Sequence, residues 1–176
     1  MRIYVTGGTK GLGAAIIQSF ERQYMFDDVK NLSRSTGYDI RNGVEHFCKT
    51  DFDVYVNNAQ YGFRQTELLY ELFKRNKMRK CHIINIGSVS GDGDRKEYNP
   101  YAVEKAALEK ATTQLQLVDS RCKVSLIKPG RIDTDMVKHI DAPKMNPLAV
   151  ANAVNYIISQ PSDVLIKSLT IDVKGV

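Results

Sequence analysis

The N-terminal stretch Arg2–Gly13, with the sequence RIYVTGGTKGLG, decides the fold of this chain. A short β-branched run is followed at once by glycines and then by apolar residues at helical spacing from Leu12 onward. Glycines at a strand–helix junction permit a tight turn and let the backbone approach a phosphate, while the helix N-terminus offers free N–H groups. The stretch therefore predicts the pyrophosphate site of a dinucleotide-binding sheet.

The rest of the chain alternates β-branched runs with helical patterns, which is typical of a parallel sheet. Helices are predicted at Leu12–Tyr24, at Thr66–Lys77, at Tyr101–Leu117 and from Asn146-Pro147 onward, where a capping residue precedes a proline of the first turn. The further predicted strands are Val29–Ser33, Asp53–Asn58, Cys81–Ile86, Cys122–Ile127 and Leu165–Val173. We expect one doubly wound Rossmann domain over residues 1–176, a three-layer α/β/α arrangement with about six main strands.

Composition excludes several classes of protein. The 176 residues are 43% hydrophobic and 26% charged, and no apolar run approaches the roughly 20 residues that span a bilayer. The N-terminus has no signal-peptide pattern, and three scattered cysteines without ligand spacing predict no metal site and a cytoplasmic location. The net charge of +5 is spread along the chain, so no nucleic-acid partner is expected.

Four further motifs follow the glycine turn in a fixed order: Asn57-Asn58-Ala59-Gln60, Ile84–Ser88, Tyr101-x-x-x-Lys105 and Pro129–Thr134. With the turn at Gly7, Gly11 and Gly13, this set resembles the short-chain dehydrogenase/reductase family over nearly the whole chain. The resemblance implies an oxidoreductase that transfers hydride between a nicotinamide and a small carbonyl or alcohol substrate.

The catalytic candidates are Ser88, Tyr101 and Lys105. Tyr101 and Lys105 are four residues apart on a helix, so their side chains share one face. A free tyrosine titrates near pH 10, and a neighbouring ammonium is expected to lower the pKa of Tyr101 so that it can act as acid and base. The resemblance implies that Ser88 polarises the substrate oxygen and that Lys105 also binds the nicotinamide ribose.

NADP(H) is predicted in preference to NAD(H). The second strand ends in Asn31-Leu32-Ser33-Arg34-Ser35, without the acid that binds the ribose diol of NAD. Arg34 is placed to bind a 2′-phosphate, and Lys10 matches a basic residue of NADP-preferring relatives, so both cations are expected near one dianionic group. The predicted cofactor contacts are Gly7, Thr9, Lys10, Gly11, Leu12, Gly13, Arg34, Ser35, Asp39, Ile40, Asn58, Ala59, Gln60, Ile86, Tyr101, Lys105, Pro129, Gly130, Ile132 and Thr134.

The chain departs from the family at two places. Only four residues separate Arg34 from Asp39, where the family has a helix and most of a third strand. We therefore expect the strand order 2-1-4-5-6-7 in the family's numbering, with the third strand reduced to a stub. The family's catalytic asparagine aligns near Gly62, and no asparagine lies there, so its water is held by Gln60, by Gln65 or by nothing.

Two expectations concern activity and assembly. The alternative to an active reductase is a catalytically weak or inactive NADP(H)-binding regulatory protein. The resemblance implies a homodimer or homotetramer, with Ala102, Ala106 and Leu108 of the third helix facing a partner. Charged residues near the mouth of the site are expected to be solvated rather than to select an anionic substrate: Arg64, Arg95, Lys96, Lys138 and His139.

Overall fold

The computed structural model describes residues 1–23, 28–93 and 98–174. Within these ranges the α-helices are α1 (Gly11–Gln23), α2 (Arg64–Asn76), α3 (Pro100–Leu115) and α4 (Pro147–Ile158). The strands are β1 (Arg2–Thr6), β2 (Asp28–Leu32), β3 (Val54–Asn57), β4 (Cys81–Ile86), β5 (Cys122–Pro129) and β6 (Ser168–Ile171).

All six strands are parallel and lie in the order β2-β1-β3-β4-β5-β6. This is the predicted order 2-1-4-5-6-7 with the third strand left out, so the predicted doubly wound sheet is confirmed. After β1 the chain forms β2 at one edge of the sheet. After β2 it crosses back over β1 to form β3 on the other side. A crevice therefore opens at the carboxyl ends of β1 and β3, where open α/β sheets bind their ligands.

The expected stub of a third strand is wrong for the described residues, since three 3₁₀ turns occupy the connection from β2 to β3 instead. Side chains of the connection satisfy its own backbone: Ser33 and Thr36 form a reciprocal capping box, and Asp39 accepts from the N–H of Arg41. Such local bonds compete with a strand ladder. The segment then buries Phe47 and Phe52 in the core.

The sheet is covered on both faces because successive strand residues point in opposite directions. Tyr4 lies in the core beneath α2 and α3, together with Tyr55 and Ile83. Its neighbours Ile3 and Val5 lie in the second core, beneath α1 and α4. The near-continuous burial of β3 and β4 is what a parallel sheet between two helical layers requires.

The helix boundaries match the predictions to within a few residues, as does the cap of Asn146 on α4. The predicted end of α1 at Tyr24 lies outside the described residues. Asn99 caps α3 through Ala102 N–H, so this helix begins before Tyr101. The expectation that Leu108 faces a partner is wrong, because Leu108 is 0% exposed within the core, whereas Ala106 is exposed.

His82 on β4 is a buried histidine with a satisfied hydrogen bond. Its Nε2 lies 2.8 Å from Ser125 Oγ, and that hydroxyl donates to the carbonyl of Ile166 at 2.6 Å. The Nε2 atom is therefore the donor. Burial, together with the nearby charge of Lys123, lowers the pKa of His82 from 6.5 to about 4.

The stability of the protein is expected to fall between pH 7 and pH 5. Because the folded-state pKa of His82 lies below the unfolded value, its contribution is full above pH 6.5 and is lost as the pH falls toward 4. The expected loss from pH 7 to pH 5 is about 2 kcal/mol in the free energy of unfolding, measured by urea denaturation. His82→Gln should flatten this dependence and the exposed control His139→Gln should not; equal slopes in all three proteins would contradict it.

Candidate active site

The glycine turn between β1 and α1 has the backbone geometry that only glycine tolerates well. Gly7 and Gly11 have φ angles of +69° and +57°, in the left-handed region. A Cβ on Gly13 would lie 2.2 Å from the carbonyl oxygen of Gly7. The turn therefore closes backbone against backbone and presents the N-terminus of α1 at the crevice, a cradle suited to a pyrophosphate.

Two polar residues that the sequence analysis did not single out hold this turn. Thr6 Oγ1 accepts hydrogen bonds from the backbone N–H groups of Asn58 and Ala59, both at 2.8 Å. Asn31 Oδ1 accepts from the N–H of Gly8 at 3.0 Å. A polar residue directly after the hydrophobic run Ile3-Tyr4-Val5 was the signal available for Thr6. These contacts bring the predicted residues Gly7, Asn58 and Ala59 together.

Three hydroxyl groups cluster where β2 ends. Thr9 Oγ1 lies 2.6 Å from Ser33 Oγ and 2.7 Å from Ser35 Oγ, and the two serine oxygens are 2.9 Å apart. We call Thr9, Ser33 and Ser35 the hydroxyl cluster. The exposed Arg34 lies between the two serines in the chain, and no carboxylate follows β2 until Asp39. The cluster therefore offers donors and a cation to an anionic group.

The two predicted phosphate-binding cations lie in different surroundings. The ammonium of Lys10 is 3.7 Å from the Asp135 carboxylate, and both side chains are exposed. Beyond Arg34 in the chain, Arg41 donates to the Asp39 carboxylate and is the main reason that the pKa of Asp39 falls to about 2, while the charge of Arg34 contributes less. Ile40, which was predicted beside Asp39 as a cofactor contact, is buried.

Ser88 and Tyr101 meet at the carboxyl edge of the sheet. Ser88 follows β4 and caps a 3₁₀ turn, with its Oγ accepting from the N–H of Ser90 at 3.1 Å. Tyr101 lies in the first turn of α3, and the nearby Ser88 hydroxyl acts to lower the pKa of its phenol. A hydroxyl at the end of β4 and a phenol at the start of α3 thus border the same part of the crevice, as a carbonyl-polarising pair requires.

The net effect on Tyr101 is opposite to the prediction. Burial raises the pKa of the Tyr101 phenol, the nearby Ser88 hydroxyl offsets only part of the increase, and the charge of Glu104 adds to it. Lys105 is not among the causes of this shift, although its amine lies over the ring, 5.4 Å from the centroid. Burial also lowers the pKa of Lys105 to about 7, which disfavours the charged form on which the prediction depended.

The Lys105 amine is hydrogen-bonded to two neutral oxygens in the interior of the protein. The side chain is 4% exposed, and its Nζ donates to Gln65 Oε1 at 2.7 Å and to the carbonyl of Ile86 at 2.9 Å. Gln60, the other candidate near the missing asparagine, instead donates to Glu104. Of the two glutamines, the structure therefore brings Gln65 to the lysine.

The segment after β5 completes the border of the crevice. A Cβ on Gly11 would lie 3.3 Å from Thr134 Cγ2, so Thr134 closely approaches the glycine turn. Gly130 N–H donates to Ile171 at 2.8 Å, and Ile132 forms an isolated bridge with Met145. The predicted contacts Pro129, Gly130, Ile132 and Thr134 thus follow one edge of the site.

The charged residues expected near the mouth are solvated or locally paired where they are described. Arg64 forms an ion pair with Glu67 one helical turn away, at 2.6 Å. Lys138 and His139 are exposed, whereas Arg95 and Lys96 lie outside the described residues. In residues 1–23, 28–93 and 98–174, no helix is long and apolar enough to cross a membrane.

The fold and the site define a Rossmann-type α/β protein in which a serine, a tyrosine and a lysine adjoin a nucleotide-binding glycine turn. The chain belongs to the short chain dehydrogenase family, whose model matches residues 21–145.

Comparison with individual proteins agrees with this family. An uncharacterized oxidoreductase of Staphylococcus epidermidis is 37% identical over 100 residues, which cover 54% of this chain and 44% of that protein. The chain thus spans less than half the length of the curated relatives it matches.

Solved structures show the same fold. A closed form of serine dehydrogenase complexed with NADP⁺ has a TM-score of 0.75 at 21% identity, covering 97% of this chain and 94% of that one. The 3-ketoacyl-(acyl-carrier-protein) reductase from Brucella melitensis, complexed with NADH, has a TM-score of 0.78 at 17% identity, covering 97% and 96%.

Proposed function

We propose that this protein is an NADP(H)-dependent oxidoreductase that interconverts a carbonyl and an alcohol. The observation that carries the proposal is the placement of Ser88 after β4, and of Lys105 over the ring of Tyr101 on α3, at the edge of the sheet that also bears the glycine turn. The turn fits a dinucleotide, because the approach of Gly13 to Gly7 leaves no room for a Cβ and the start of α1 faces the crevice. The bound nicotinamide would supply or accept the hydride.

The residues of the chain position the substrate and move its proton. Ser88 Oγ binds the substrate oxygen and stabilises the charge that develops on it. The Tyr101 hydroxyl donates a proton to that oxygen in reduction and removes one in oxidation. The Lys105 amine lies over the Tyr101 ring, and in its protonated form it stabilises the phenolate that forms when the proton leaves. The Lys105 amine donates to Gln65 and to the Ile86 carbonyl, so its remaining hydrogen-bonding capacity is available to the cofactor ribose.

NADP(H) is proposed as the preferred cofactor on the strength of the hydroxyl cluster and Arg34. Three hydroxyls within 2.9 Å of one another can donate to the oxygens of a 2′-phosphate. Arg34 adds a charge that can bind two of those oxygens at once. Ser33 therefore joins the predicted cofactor contacts. Lys10, which is paired with Asp135, is expected to contribute less to binding of the 2′-phosphate.

Arg34→Ala is expected to weaken NADPH binding by about 10- to 100-fold, the effect of losing about 1.5–3 kcal/mol of charge-assisted hydrogen bonding. NADH binding should stay unchanged, because NADH lacks the 2′-phosphate. Calorimetric titration of both nucleotides measures the ratio. Arg121→Ala, at the opposite end of the sheet, is the matched control. An equal loss for NADH and NADPH would reject the assignment of Arg34.

The proposed function is tested by titrating the protein with NADPH and NADH and then screening turnover on a panel of aldehydes, ketones and alcohols. NADPH binding with turnover supports the proposal. Binding without turnover on any member would instead support the regulatory NADP(H)-binding alternative. Failure to bind either nucleotide would overturn both.

The proposed homodimer or homotetramer is tested by size-exclusion chromatography with light scattering. The proposed cytoplasmic location is supported by the three buried free thiols, which are compatible with a reducing compartment.

A further inference from the structure

Gln65 is a buried amide whose orientation is determined by its contacts. It lies in the first turn of α2 and is 3% exposed. Its Nε2 donates to the carbonyl oxygens of Asn57 at 2.6 Å and Ile86 at 3.0 Å, while its Oε1 accepts from Lys105 Nζ. Rotating the amide by half a turn would place its nitrogen against an amine donor and its oxygen against two carbonyls. The oxygen therefore has to face the lysine.

A lysine side chain needs such a partner if it is to hold one position. Four rotatable bonds leave the amine free to occupy many places unless packing and hydrogen bonds select one. Lys105 Nζ is bound by Gln65 at 2.7 Å and by the Ile86 carbonyl at 2.9 Å, and the same carbonyl also accepts from Gln65. The Lys105 amine, the Gln65 amide and the Ile86 carbonyl are thus all hydrogen-bonded to one another, and these bonds fix the amine over the Tyr101 ring.

The contact is supported by further buried amides below it. Asn57 Nδ2 donates to the Gln65 carbonyl and to Asn85 Oδ1, both at 2.9 Å. Asn85 in turn donates to Thr112 Oγ1 at 3.0 Å. These bonds join α2, β3, β4 and α3. The position of Gln65 is therefore set by the sheet as well as by its own helix.

We propose that Gln65 is a positioning residue whose neutral amide oxygen holds the Lys105 amine over the ring of the catalytic tyrosine. The role rests on the proposed function, in which Tyr101 and Lys105 move the substrate proton. An amide oxygen accepts a hydrogen bond but does not pass a proton onward. No path for protons therefore continues from Lys105 through Gln65 into the interior. Protons then exchange with Lys105 from the side of the cofactor and substrate.

The charged and titratable groups that face Lys105 come from its own helix. Tyr101 lies beside the amine, and the charge of Glu104 favours the protonated lysine against the effect of burial. The contacts described from α2 and β4 are the neutral Gln65 amide and the neutral Ile86 carbonyl. A carboxylate at position 65 would therefore add a new charge on that side.

The first experiment follows Lys105 in the ligand-free protein by the ¹³C chemical shift of its Cε, assigned by comparison with Lys105→Arg. Gln65→Glu is expected to raise the pKa of Lys105 by about 1–3, because an opposite charge within contact distance favours the ammonium. Gln65→Leu is expected to broaden or move the signal as the amine loses its partner. An unchanged titration of Lys105 in Gln65→Glu would overturn the proposal.

Gln116 provides matched control variants. Its Nε2 also donates to two backbone carbonyls, those of Val124 at 3.0 Å and Lys167 at 2.8 Å. It lies eleven residues beyond Lys105, about 16 Å along the chain of α3 and its end. Gln116→Leu and Gln116→Glu break equivalent bonds to the backbone. They are expected to lower the melting temperature without moving the Lys105 signal or the pH profile of kcat.

The second experiment measures kcat and KM against pH with a substrate from the carbonyl panel. Gln65→Leu and Gln65→Asn are expected to lower kcat by about 10–100-fold, since misplaced catalytic groups cost rate, and to weaken NADPH binding by less, because one contact to the ribose is displaced. In Gln65→Glu, the pH profile of kcat should shift to higher pH by the same amount as the pKa of Lys105. A pH profile and kcat equal to wild type in all three variants would overturn the proposal.

The outcomes separate the two proposals. If the Lys105 titration moves as expected while the wild-type protein turns over no substrate, the contact stands and the reductase function fails. If turnover is normal and the titration does not respond to position 65, the function stands and the positioning role fails. Should Gln65→Leu not fold, the titrations of Gln65→Asn and Gln65→Glu still decide the question.

Discussion

Tyr101→Phe is expected to abolish turnover while leaving NADPH binding intact. The substitution removes the hydroxyl that meets Ser88 and keeps the ring over which the Lys105 amine lies. Loss of a general acid or base typically costs 10²–10⁴-fold in rate. The expected result is therefore a fall in kcat of about this size, with the NADPH dissociation constant changed little.

The measurement is kcat and KM with NADPH and the best substrate of the carbonyl panel, beside a calorimetric NADPH titration. Tyr98→Phe is the matched control, because Tyr98 is 96% exposed and lies three residues before Tyr101. It should retain wild-type kcat. Turnover by Tyr101→Phe at the wild-type rate would exclude Tyr101 as the acid–base group.

Gly13→Ala is expected to have the largest effect on cofactor binding. The added Cβ would lie 2.2 Å from the Gly7 carbonyl oxygen and 2.9 Å from Asn58 Nδ2. The first of these is backbone, so the turn itself must open. Overpacking of this kind usually costs 1–3 kcal/mol. The displaced backbone N–H groups are also the ones proposed to bind the pyrophosphate, so NADPH affinity should be lost as well.

Thermal unfolding and NADPH titration of Gly13→Ala measure the two effects. Gly62→Ala is the control, since Gly62 has a φ angle of +51° and a methyl group added there would meet open space. It should lose about 1–2 kcal/mol through backbone strain alone and bind NADPH normally. A Gly13→Ala protein that binds NADPH as tightly as wild type would show that the turn does not hold the cofactor.

Much of the sheet could be predicted because its signals are local. The β-branched run of β1, the glycines after it and the apolar face of α1 lie within some twenty consecutive residues, and each reports its own conformation. The Asn146-Pro147 pair predicted the start of α4 for the same reason. The connection from β2 to β3 was not predicted, because its 3₁₀ turns depend on side-chain bonds to its own backbone.

The spacing of Tyr101 and Lys105 placed them on one face of a helix, but it could not give their protonation. The raised pKa of Tyr101 and the lowered pKa of Lys105 both follow from burial, which a sequence does not state. Leu108 shows the same limit. Apolar character alone does not tell a core residue from one that faces a partner, and only the packing of α3 on the sheet places Leu108 inside.

By itself the sequence determined the alternation of strands and helices, the glycine turn between β1 and α1 and the order of the family's motifs. These properties depend on periodicity and on backbone preferences within a few residues. Only the tertiary structure decided that Gln65 rather than Gln60 reaches Lys105, across 40 residues of chain, and that Lys10 pairs with Asp135. The physical reason is that such contacts arise where separate elements pack together, and no local pattern records which side chains then meet.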